Sequence, residues 1–327
     1  MNYKKNNFYV ENIPIEKIAK KFGTPTYCYS LSTIKKNIKK FKNNFKTINP
    51  LICFSVKSNS NLFILKEIKK MGVGADVVSK GELLIALKAG INPKKIVFSG
   101  VGKTYEELKF AIEKKILLIN VESESELNQI EKISKIKKRK IDVGLRLNPN
   151  IDAKTLKKIS TGKNEEKFGL IQKSFLKIIE KFKNSKNLKI KCLSVHIGSQ
   201  ITNHRPYEKM LNVLSSVIKK ADYNFEYIDL GGGMGIKYNE NTKVLNYKKY
   251  NSTIKKFLNK NKTKIIFEPG RSIVGNSGLL LTKIIYIKKT NKINFVILDA
   301  AMNDLIRPAL YGSKHRIISS KLNKKIK

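Results

Sequence analysis

Residues 51–61 read Leu51-Ile52-Cys53-Phe54-Ser55-Val56-Lys57-Ser58-Asn59-Ser60-Asn61. The apolar run Ile52–Val56 is followed by a small polar turn and then by the amphipathic stretch Leu62–Met71. This order is typical of a β-strand that leads into a helix. The strand would bring Lys57 to its carboxyl end, where a lysine beside residues of low polarity can lose its proton and attack a carbonyl group. Most lysines at such positions are ordinary surface residues, so a functional role for Lys57 needs support from the rest of the chain.

The same pattern recurs along the chain. Further apolar or β-branched runs predict strands at Val73–Val78, Ile96–Ser99, Leu117–Val121, Ile141–Leu147, Ile190–Ile197, Tyr227–Leu230 and Lys264–Phe267. Amphipathic stretches between them predict helices at Gly81–Ala89, Tyr105–Lys114, Glu124–Lys135, Lys173–Phe182, Tyr207–Ala221 and Tyr247–Asn259. About eight such units in roughly 250 residues predict an α/β protein with a closed (β/α)8 TIM barrel. An open doubly wound sheet is the alternative, although no GxGxxG opens the first unit.

Polar and glycine residues follow the predicted strands. They are Lys57, Ser79, Ser99-Gly100, Glu122-Ser123, Arg146 with Asn148, His196 with Ser199, Gly231-Gly232-Gly233 and Glu268-Pro269-Gly270-Arg271. Barrel enzymes carry their active sites at the carboxyl ends of the strands. We therefore expect these residues to converge on one site.

The alternation of strands and helices stops after Arg271. Gly278–Ile287 and Phe295–Leu298 predict strands with no helix between them, and Thr26–Ser30 predicts a strand before the first unit. We expect residues 1–30 to contribute a strand to a small β domain, residues 31–275 to form the barrel, and residues 276–327 to form a partial C-terminal β domain.

Composition restricts the class of partner. The formal net charge of +42 is typical of nucleic-acid binders, but it comes from lysines spread through every helical stretch, and only six residues are arginines. Because arginine is the usual residue for phosphate and base readout, we predict no specific nucleic-acid partner. The three cysteines lie in apolar runs and predict reduced core residues, not a metal site. No segment approaches a membrane span or a signal peptide, so we expect a cytoplasmic chain.

Several strand-end residues suit a phosphorylated aromatic cofactor. The amides of Gly231-Gly232-Gly233 can cradle a phosphate, although a tight turn would also explain three glycines. Gly270 allows close approach to the same phosphate, and Arg271 can bind an anionic group. Glu268 can pair with a pyridine nitrogen, unless it is only an acid at a helix N-terminus. His196 can stack on a flat ring while Ser199 binds the phosphate; a core histidine is the alternative.

These motifs resemble those of the fold-type III pyridoxal-phosphate decarboxylases, which share the alanine-racemase barrel. The resemblance rests on Val56-Lys57-Ser58-Asn59, His196-Ile197-Gly198-Ser199-Gln200, Gly231-Gly232-Gly233 and Glu268-Pro269-Gly270-Arg271. Two further stretches are similar to diaminopimelate decarboxylases in particular: Ile159-Ser160-Thr161-Gly162 with Lys167-Phe168-Gly169, and Asp299 through Arg307-Pro308-Ala309-Leu310-Tyr311. The similarity extends from about Phe22 to His315.

The resemblance implies a pyridoxal 5'-phosphate enzyme that decarboxylates meso-2,6-diaminopimelate to L-lysine and carbon dioxide, the last step of lysine biosynthesis. It implies that Lys57 binds the cofactor covalently and that His196 stacks on its ring. It further implies that Asp76, Arg146, Ser199, Gly231, Gly232, Gly233, Glu268, Pro269, Gly270 and Arg271 hold the cofactor. Substrate carboxylates would bind Arg271, Arg307 and Tyr311.

The sequence also departs from the family pattern. The family's proton donor is a cysteine in a Cys-Glu-Ser-type run beyond the segment that matches Tyr311, and a cofactor-contacting tyrosine follows it. Neither has a match here, and Cys28, Cys53 and Cys192 lie in other contexts. We therefore expect a C-terminally truncated copy of a homodimeric enzyme, with weak turnover. The alternatives are a related ornithine, arginine or carboxynorspermidine decarboxylase, an alanine racemase, or a pyridoxal-phosphate-binding protein with little activity.

Overall fold

The computed structural model describes residues 1–153, 161–162, 167–238 and 242–322. Contacts between residues divide the chain into two compact units. The larger unit comprises Asn37–Lys237 and Asn241–Gly275, and the smaller comprises Met1–Lys36, Tyr238–Glu240 and Asn276–Lys327.

The larger unit is built on a closed parallel barrel. Within the described residues its eight strands are β1 (Leu51–Ser55), β2 (Gly74–Val77), β3 (Ile96–Phe98), β4 (Leu118–Val121), β5 (Ile141–Arg146), β6 (Leu188–Ser194), β7 (Tyr227–Asp229) and β8 (Lys264–Phe267). Each strand pairs with the next in chain order, and β8 pairs with β1 through Ile266↔Leu51 and Phe267↔Ile52. The predicted (β/α)8 TIM barrel is confirmed.

Helices follow the barrel strands. They are α1 (Leu62–Lys70), α2 (Lys80–Lys88), α3 (Tyr105–Glu113), α4 (Glu124–Lys137), α5 (Gln172–Phe182), α6 (Arg205–Ala221), α7 (Tyr247–Leu258) and the short helix Arg271–Val274 after β8. One predicted strand is placed differently: the run Ile190–Ile197 forms a strand only as Leu188–Ser194. Val195-His196-Ile197 therefore lies in the loop after β6. None of the described helices is long and apolar enough to cross a membrane.

The polar turns after the strands begin the helices by capping. The side chain of Asn61 accepts hydrogen bonds from the backbone N–H groups of Phe63 and Ile64, and Ser79 accepts from Glu82. Thr104 and Glu107 form a reciprocal capping box at the start of α3. These bonds satisfy N–H groups that a helix leaves unpaired at its first turn. The sequence signals for turns at strand ends are thus also signals for helix starts.

One helix that the sequence analysis did not predict packs where the last barrel strand, β8, meets the first, β1. The helix Leu31–Asn44 precedes β1, and its residue Phe41 packs on Phe267 of β8 with ring centroids 5.6 Å apart. Phe45, just after the helix, lies 4.5 Å from the ring of Phe267 and is fully buried. The lysine-rich composition of this helix concealed its apolar face. It packs on the last strand although it precedes the first.

The smaller unit contains short antiparallel sheets. Asn2–Lys4, Asn7–Val10 and Ile13–Pro14 form one, Thr26–Tyr29 pairs with Gly278–Leu281, and Ile284–Lys289 pairs with Asn294–Leu298. Helices in this unit are Ile15–Phe22 and Arg307–Tyr311. A small β domain in addition to the barrel is confirmed, but the single strand predicted over Gly278–Ile287 is wrong. The predicted strand is interrupted at Thr282-Lys283. There Asp299 Oδ1 accepts hydrogen bonds from the Thr282 hydroxyl at 2.6 Å and from the Lys283 N–H at 2.8 Å.

We predict that Phe45→Ala lowers the free energy of unfolding of the barrel by about 3–5 kcal/mol, because it leaves a cavity beside Phe267 that the surrounding rings cannot fill. Chemical denaturation followed by circular dichroism measures the change. Phe63→Ala is the matched control, since the Phe63 side chain on α1 is 61% exposed, and it should change the value by no more than about 0.5 kcal/mol. Equal effects of the two substitutions would contradict the packing role of Phe45.

Candidate active site

The interior of the barrel has an apolar layer and a polar layer. The apolar layer is the buried cluster Cys53, Val97, Leu118, Cys192 and Ile266. The residues two positions further along the same strands are Ser55, Ser99, Asn120, Ser194 and Glu268, all buried. Side chains two apart in a strand share a face, so this second set faces the interior one layer closer to the carboxyl ends of the strands. A buried polar layer at that end is the expected floor of an active site.

Lys57 stands at the edge of this floor. It lies in a single helical turn, Val56–Ser58, directly after β1. Its Nζ is 3.5 Å from Oδ2 of Asp76 on β2, and the lysine side chain is 55% exposed while that of Asp76 is fully buried. The Asp76 carboxylate, helped by Glu268, raises the pKa of Lys57 against the opposing effect of burial. The expectation of a low-polarity setting for Lys57 is therefore wrong: this amine is held in its charged form by acids.

Asp76 is fixed by β1. The hydroxyl of Ser55 donates to Asp76 Oδ2 at 2.6 Å, and the two residues are register partners across β1 and β2. The other oxygen, Oδ1, is buried and has no hydrogen-bond partner among the described residues. A buried carboxylate oxygen without a partner is costly unless a ligand or water satisfies it.

Glu268 lies in a buried network of polar side chains. Ser99 Oγ donates to Glu268 Oε1 at 3.2 Å, and Asn120 Nδ2 donates both to Ser99 Oγ at 3.1 Å and to Asp229 Oδ2 at 2.9 Å. Ser99 and Asn120 thereby link Glu268 and Asp229 in one network. Burial, with the neighbouring Asp229 and Asp76, raises the pKa of Glu268, and burial raises that of Asp229 to about 6.

His196 is held by the glycine loop after β7. Its Nδ1 accepts the backbone N–H of Gly232 at 3.1 Å, so the remaining ring proton resides on Nε2. Burial lowers the pKa of His196 well below its ordinary value, and the charges of Arg146 and Lys57 lower it further. The imidazole is thus neutral and fixed in orientation, which suits a flat partner better than it suits a cationic role.

Glycines let four loops approach one another closely. A Cβ on Gly231 would lie 2.6 Å from His196 Nδ1, and one on Gly232 would lie 2.2 Å from the carbonyl oxygen of Glu268. A Cβ on Gly233 would lie 2.2 Å from the carbonyl oxygen of Gly198. Gly270 has the same restriction, because a Cβ there would lie 3.0 Å from Ser55 Cβ and 3.1 Å from Ser58 Cβ. The glycine-rich motifs thus pack backbone against backbone beside the turn that carries Lys57.

Arg146 is placed by Glu122. Its Nη1 donates to Glu122 Oε1 at 2.7 Å, and the pair is almost completely buried. The same carboxylate accepts the N–H groups of Gly100 at 3.1 Å and of Gly169 at 2.9 Å. The guanidinium also lies 4.9 Å from the centre of the Phe168 ring. Glu122 thereby joins the loops after β3 and β5 and orients Arg146 within the site.

The structure places the other predicted residues as follows. Arg271 begins the short helix after β8, and Ser199 lies half-buried in the loop after β6. Arg307 and Tyr311 belong to the smaller unit, where the Arg307 guanidinium lies 5.5 Å from the Tyr311 ring. Arg307 also donates to the hydroxyl groups of Tyr238 and Ser313, each at 3.3 Å. Of the motif Ile159–Gly162, Ile159 and Ser160 lie outside the described residues.

Sequence reasoning missed Asn120 and Asp229. Both are fully buried polar residues at the carboxyl ends of otherwise apolar strands. The alternation of side chains within a strand could have identified them. A polar residue two positions after an inward-facing apolar one must also face inward. Glu122 was noted only as a polar residue at a strand end, and nothing in the sequence pairs it with Arg146.

The chain matches known proteins over most of its length. Residues 31–275 match the family model described as pyridoxal-dependent decarboxylase, pyridoxal binding domain. The chain is 40% identical over 322 residues to a diaminopimelate decarboxylase of Aquifex aeolicus, which covers 97% of this chain and 76% of the relative. Pyridoxal 5'-phosphate is accordingly the cofactor of this protein.

Solved structures agree. A diaminopimelate decarboxylase of Helicobacter pylori complexed with L-lysine has a TM-score of 0.87 and 42% identity, over 92% of this chain and 77% of that one. A diaminopimelate decarboxylase of M. jannaschii, also in complex with L-lysine, has a TM-score of 0.92 and 36% identity, over 99% of this chain and 78% of that one. The chain belongs to the diaminopimelate decarboxylases, within the pyridoxal-dependent decarboxylase family.

Proposed function

We propose that this protein decarboxylates meso-2,6-diaminopimelate to L-lysine and carbon dioxide with pyridoxal 5'-phosphate as cofactor. The observation that carries the proposal is the pairing of the Lys57 amine with buried Asp76 in the same barrel mouth as Glu268. The names of the relatives and the L-lysine bound to two of them support the choice of substrate and product.

The residues of the barrel mouth fit this cofactor. The unpartnered buried Oδ1 of Asp76 is a polar atom that a bound group can satisfy, and the glycines after β7 and β8 keep side chains out of a compact cluster of backbone amides. Glycine-turn amides at strand ends are a common phosphate site in such barrels. We assign the phosphate to Ser199, Gly231, Gly232, Gly233, Pro269, Gly270 and Arg271.

Each remaining residue has a task that its surroundings explain. Lys57 would hold the cofactor covalently, and Asp76 keeps the amine in place beside it. Glu268 would hold a proton at the pyridine nitrogen, and His196 offers a neutral flat ring that Gly232 keeps oriented. Bound pyridoxal phosphate supplies an electron sink for the electron pair left behind when the carboxylate departs. Arg146, fixed by Glu122, adds positive charge near His196 and Lys57.

The substrate preference rests on the smaller unit. We propose that Arg307 and Tyr311 bind substrate carboxylates, as their motif implies, together with Arg271. Arg307 is already held by Tyr238 and Ser313, so its guanidinium loses little freedom when it binds an anion. A distal carboxylate on the substrate distinguishes diaminopimelate from ornithine, arginine and alanine, the substrates of related barrel enzymes.

We further propose that the protein works as a homodimer in the cytoplasm. The hairpin Ile284–Lys289 with Asn294–Leu298 exposes Ile284, Tyr286, Val296 and other apolar side chains, which supports a partner surface there. All three cysteines are free and buried, which suits a reducing compartment. In the same proposal residues 31–275 form the cofactor-binding domain, and residues 1–30 and 276–327 form the second domain.

We predict that borohydride reduction of the protein mixed with pyridoxal phosphate fixes the cofactor on Lys57, as read by peptide mapping. Lys57→Ala should abolish both the visible absorbance of the bound cofactor and the labelled peptide, because it removes the amine that would bind the cofactor covalently. Lys88→Ala removes an exposed lysine at the end of α2 and should leave both signals intact. Label scattered over several lysines, unchanged in Lys57→Ala, would contradict the assignment.

Asp76→Asn should shift the reactivity of Lys57 to lower pH. The Asp76 carboxylate is the main cause of the raised pKa of Lys57, so its removal makes the neutral amine available at lower pH. The measurement is the pH at which Lys57 of the cofactor-free chain is half acylated, followed by mass spectrometry. The control is Asp142→Asn, which removes the carboxylate 2.8 Å from Lys191 and should shift Lys191 but not Lys57. An unshifted Lys57 in Asp76→Asn would disprove the ion pair.

Arg307→Ala should raise KM for diaminopimelate about 10–100-fold, the equivalent of about 1.5–3 kcal/mol for a lost charge-assisted hydrogen bond. Release of lysine and carbon dioxide from the cofactor-loaded protein measures it. Arg316→Ala, which removes an exposed arginine of the same unit, is the charge-matched control. Faster turnover of ornithine or alanine than of diaminopimelate by the unaltered protein would overturn the proposed substrate.

A further inference from the structure

The carbonyl groups of the three glycines after β7 all accept hydrogen bonds from the protein. Those of Gly231 and Gly233 accept backbone N–H groups at 2.8 and 2.9 Å. That of Gly232 accepts the hydroxyl of Tyr207, a residue in the first turn of α6, at 3.0 Å. Because only this bond comes from a side chain, a substitution can remove it and leave the backbone of the turn unaltered.

The N–H groups of the same turn are not all engaged. Gly231 donates to Asp229 Oδ1 at 2.9 Å, and Gly232 donates to His196 Nδ1 at 3.1 Å. The N–H of Gly233 has no hydrogen-bond partner among the residues that the structure describes. An N–H of this kind in a glycine turn is a donor for an anion. Gly233 is therefore the amide of the turn that remains available to a ligand.

The Gly232 carbonyl and the Gly233 N–H belong to the same peptide unit. In a trans peptide these two groups point in opposite directions. Since Tyr207 holds the carbonyl toward α6, the N–H is directed away from that helix. Glycine on both sides lets this peptide turn over without a steric clash from a Cβ. The turned peptide would present a carbonyl oxygen to the ligand, and an oxygen acceptor cannot bind a phosphate.

The Tyr207 side chain is itself fixed and uncharged. It is fully buried and stacks on Tyr250 of α7, with ring centroids 4.3 Å apart and planes 24° apart. Burial raises the pKa of Tyr207 well above its ordinary value, so its hydroxyl keeps the proton that it donates. The Tyr250 hydroxyl is also buried, but it has no hydrogen-bond partner within the described part of the chain. The two tyrosines share one environment, and only Tyr207 holds the glycine turn.

We infer that Tyr207 is a positioning residue for the cofactor phosphate, because its hydroxyl fixes the Gly232–Gly233 peptide with the Gly233 N–H available to the anion. This role rests on the proposed phosphate site and adds to it a residue of the helix layer. The hydroxyl should thereby strengthen the binding of pyridoxal phosphate and leave that of pyridoxal, which lacks the phosphate, unchanged.

Tyr207→Phe keeps the stacked ring and removes only the hydroxyl. We expect it to raise the Kd for pyridoxal phosphate about 3–10-fold, the effect of one lost hydrogen bond, and to leave the Kd for pyridoxal unaltered. Titrations followed by the absorbance of the bound aldehyde measure both constants. Tyr250→Phe removes the unpartnered hydroxyl of the stacked ring and should change neither. Equal weakening of pyridoxal and pyridoxal phosphate by Tyr207→Phe would reduce Tyr207 to a structural residue and overturn the inference.

Nuclear magnetic resonance tests the peptide without the covalent chemistry of Lys57. Only Gly232 and Gly233 follow another glycine in this sequence, so glycine labelled with ¹³C at the carbonyl and with ¹⁵N isolates their two amide signals. Inorganic phosphate should move one signal, that of Gly233, and the response should weaken in Tyr207→Phe but not in Tyr250→Phe.

Two signals that both ignore phosphate in the unaltered protein would contradict the inference, even where Tyr207→Phe does not fold. An undiminished response in folded Tyr207→Phe would contradict it as well. A response that depends on Tyr207, in protein that does not decarboxylate diaminopimelate, would overturn the proposed function and leave this inference supported.

Discussion

Pairing of β8 with β1 is the interaction on which the site depends. Only two register pairs join these strands, Ile266↔Leu51 and Phe267↔Ile52, yet they close the barrel. The closure is continued past the strand ends by the N–H of Ser55, which donates to the carbonyl oxygen of Pro269 at 3.1 Å. This bond places the turn that carries Lys57 against the loop that carries Glu268. Residues more than 200 positions apart in the sequence become neighbours because the sheet closes on itself.

The aromatic cluster outside the closure explains how so short a pairing holds. Phe41 and Phe45 cover Phe267 from the outside, and Tyr250 of α7 lies 5.8 Å from Phe45. Burial of each large ring contributes about 1.5–3 kcal/mol, more than the net contribution of one hydrogen bond. Packing on the outer face of the barrel thus fixes the distance between the loops at the carboxyl ends of the strands. The position of Lys57 therefore depends on apolar contacts between other residues.

The sequence predicts features that depend on neighbouring residues, and it does not predict contacts between residues far apart in the chain. Strands and helices of the barrel are local patterns of period two and 3.6, so Lys264–Phe267 and Leu62–Lys70 were predicted almost to the residue. The helix Leu31–Asn44 escaped notice because its lysines obscure its apolar face. The candidate ligands at strand ends could be predicted because a barrel brings its strand ends together. The pairings of Glu122 with Arg146 and of Asn120 with Asp229 join different strands and leave no trace in local sequence.

Lys57 differs from the other lysines of this chain, whose net charge is +42, in its surroundings. Surface lysines such as Lys88 are solvated, and water screens their charges from one another. Lys57 instead borders an interior that holds Asp76, Asp229 and Glu268, all buried, in which each charge must be balanced within a few ångströms. Lys57 pairs with Asp76, while Asn120 donates to Asp229 and Ser99 donates to Glu268. The positively charged exterior therefore has little influence on the site, whose behaviour is set by three buried acids and the groups that bond to them.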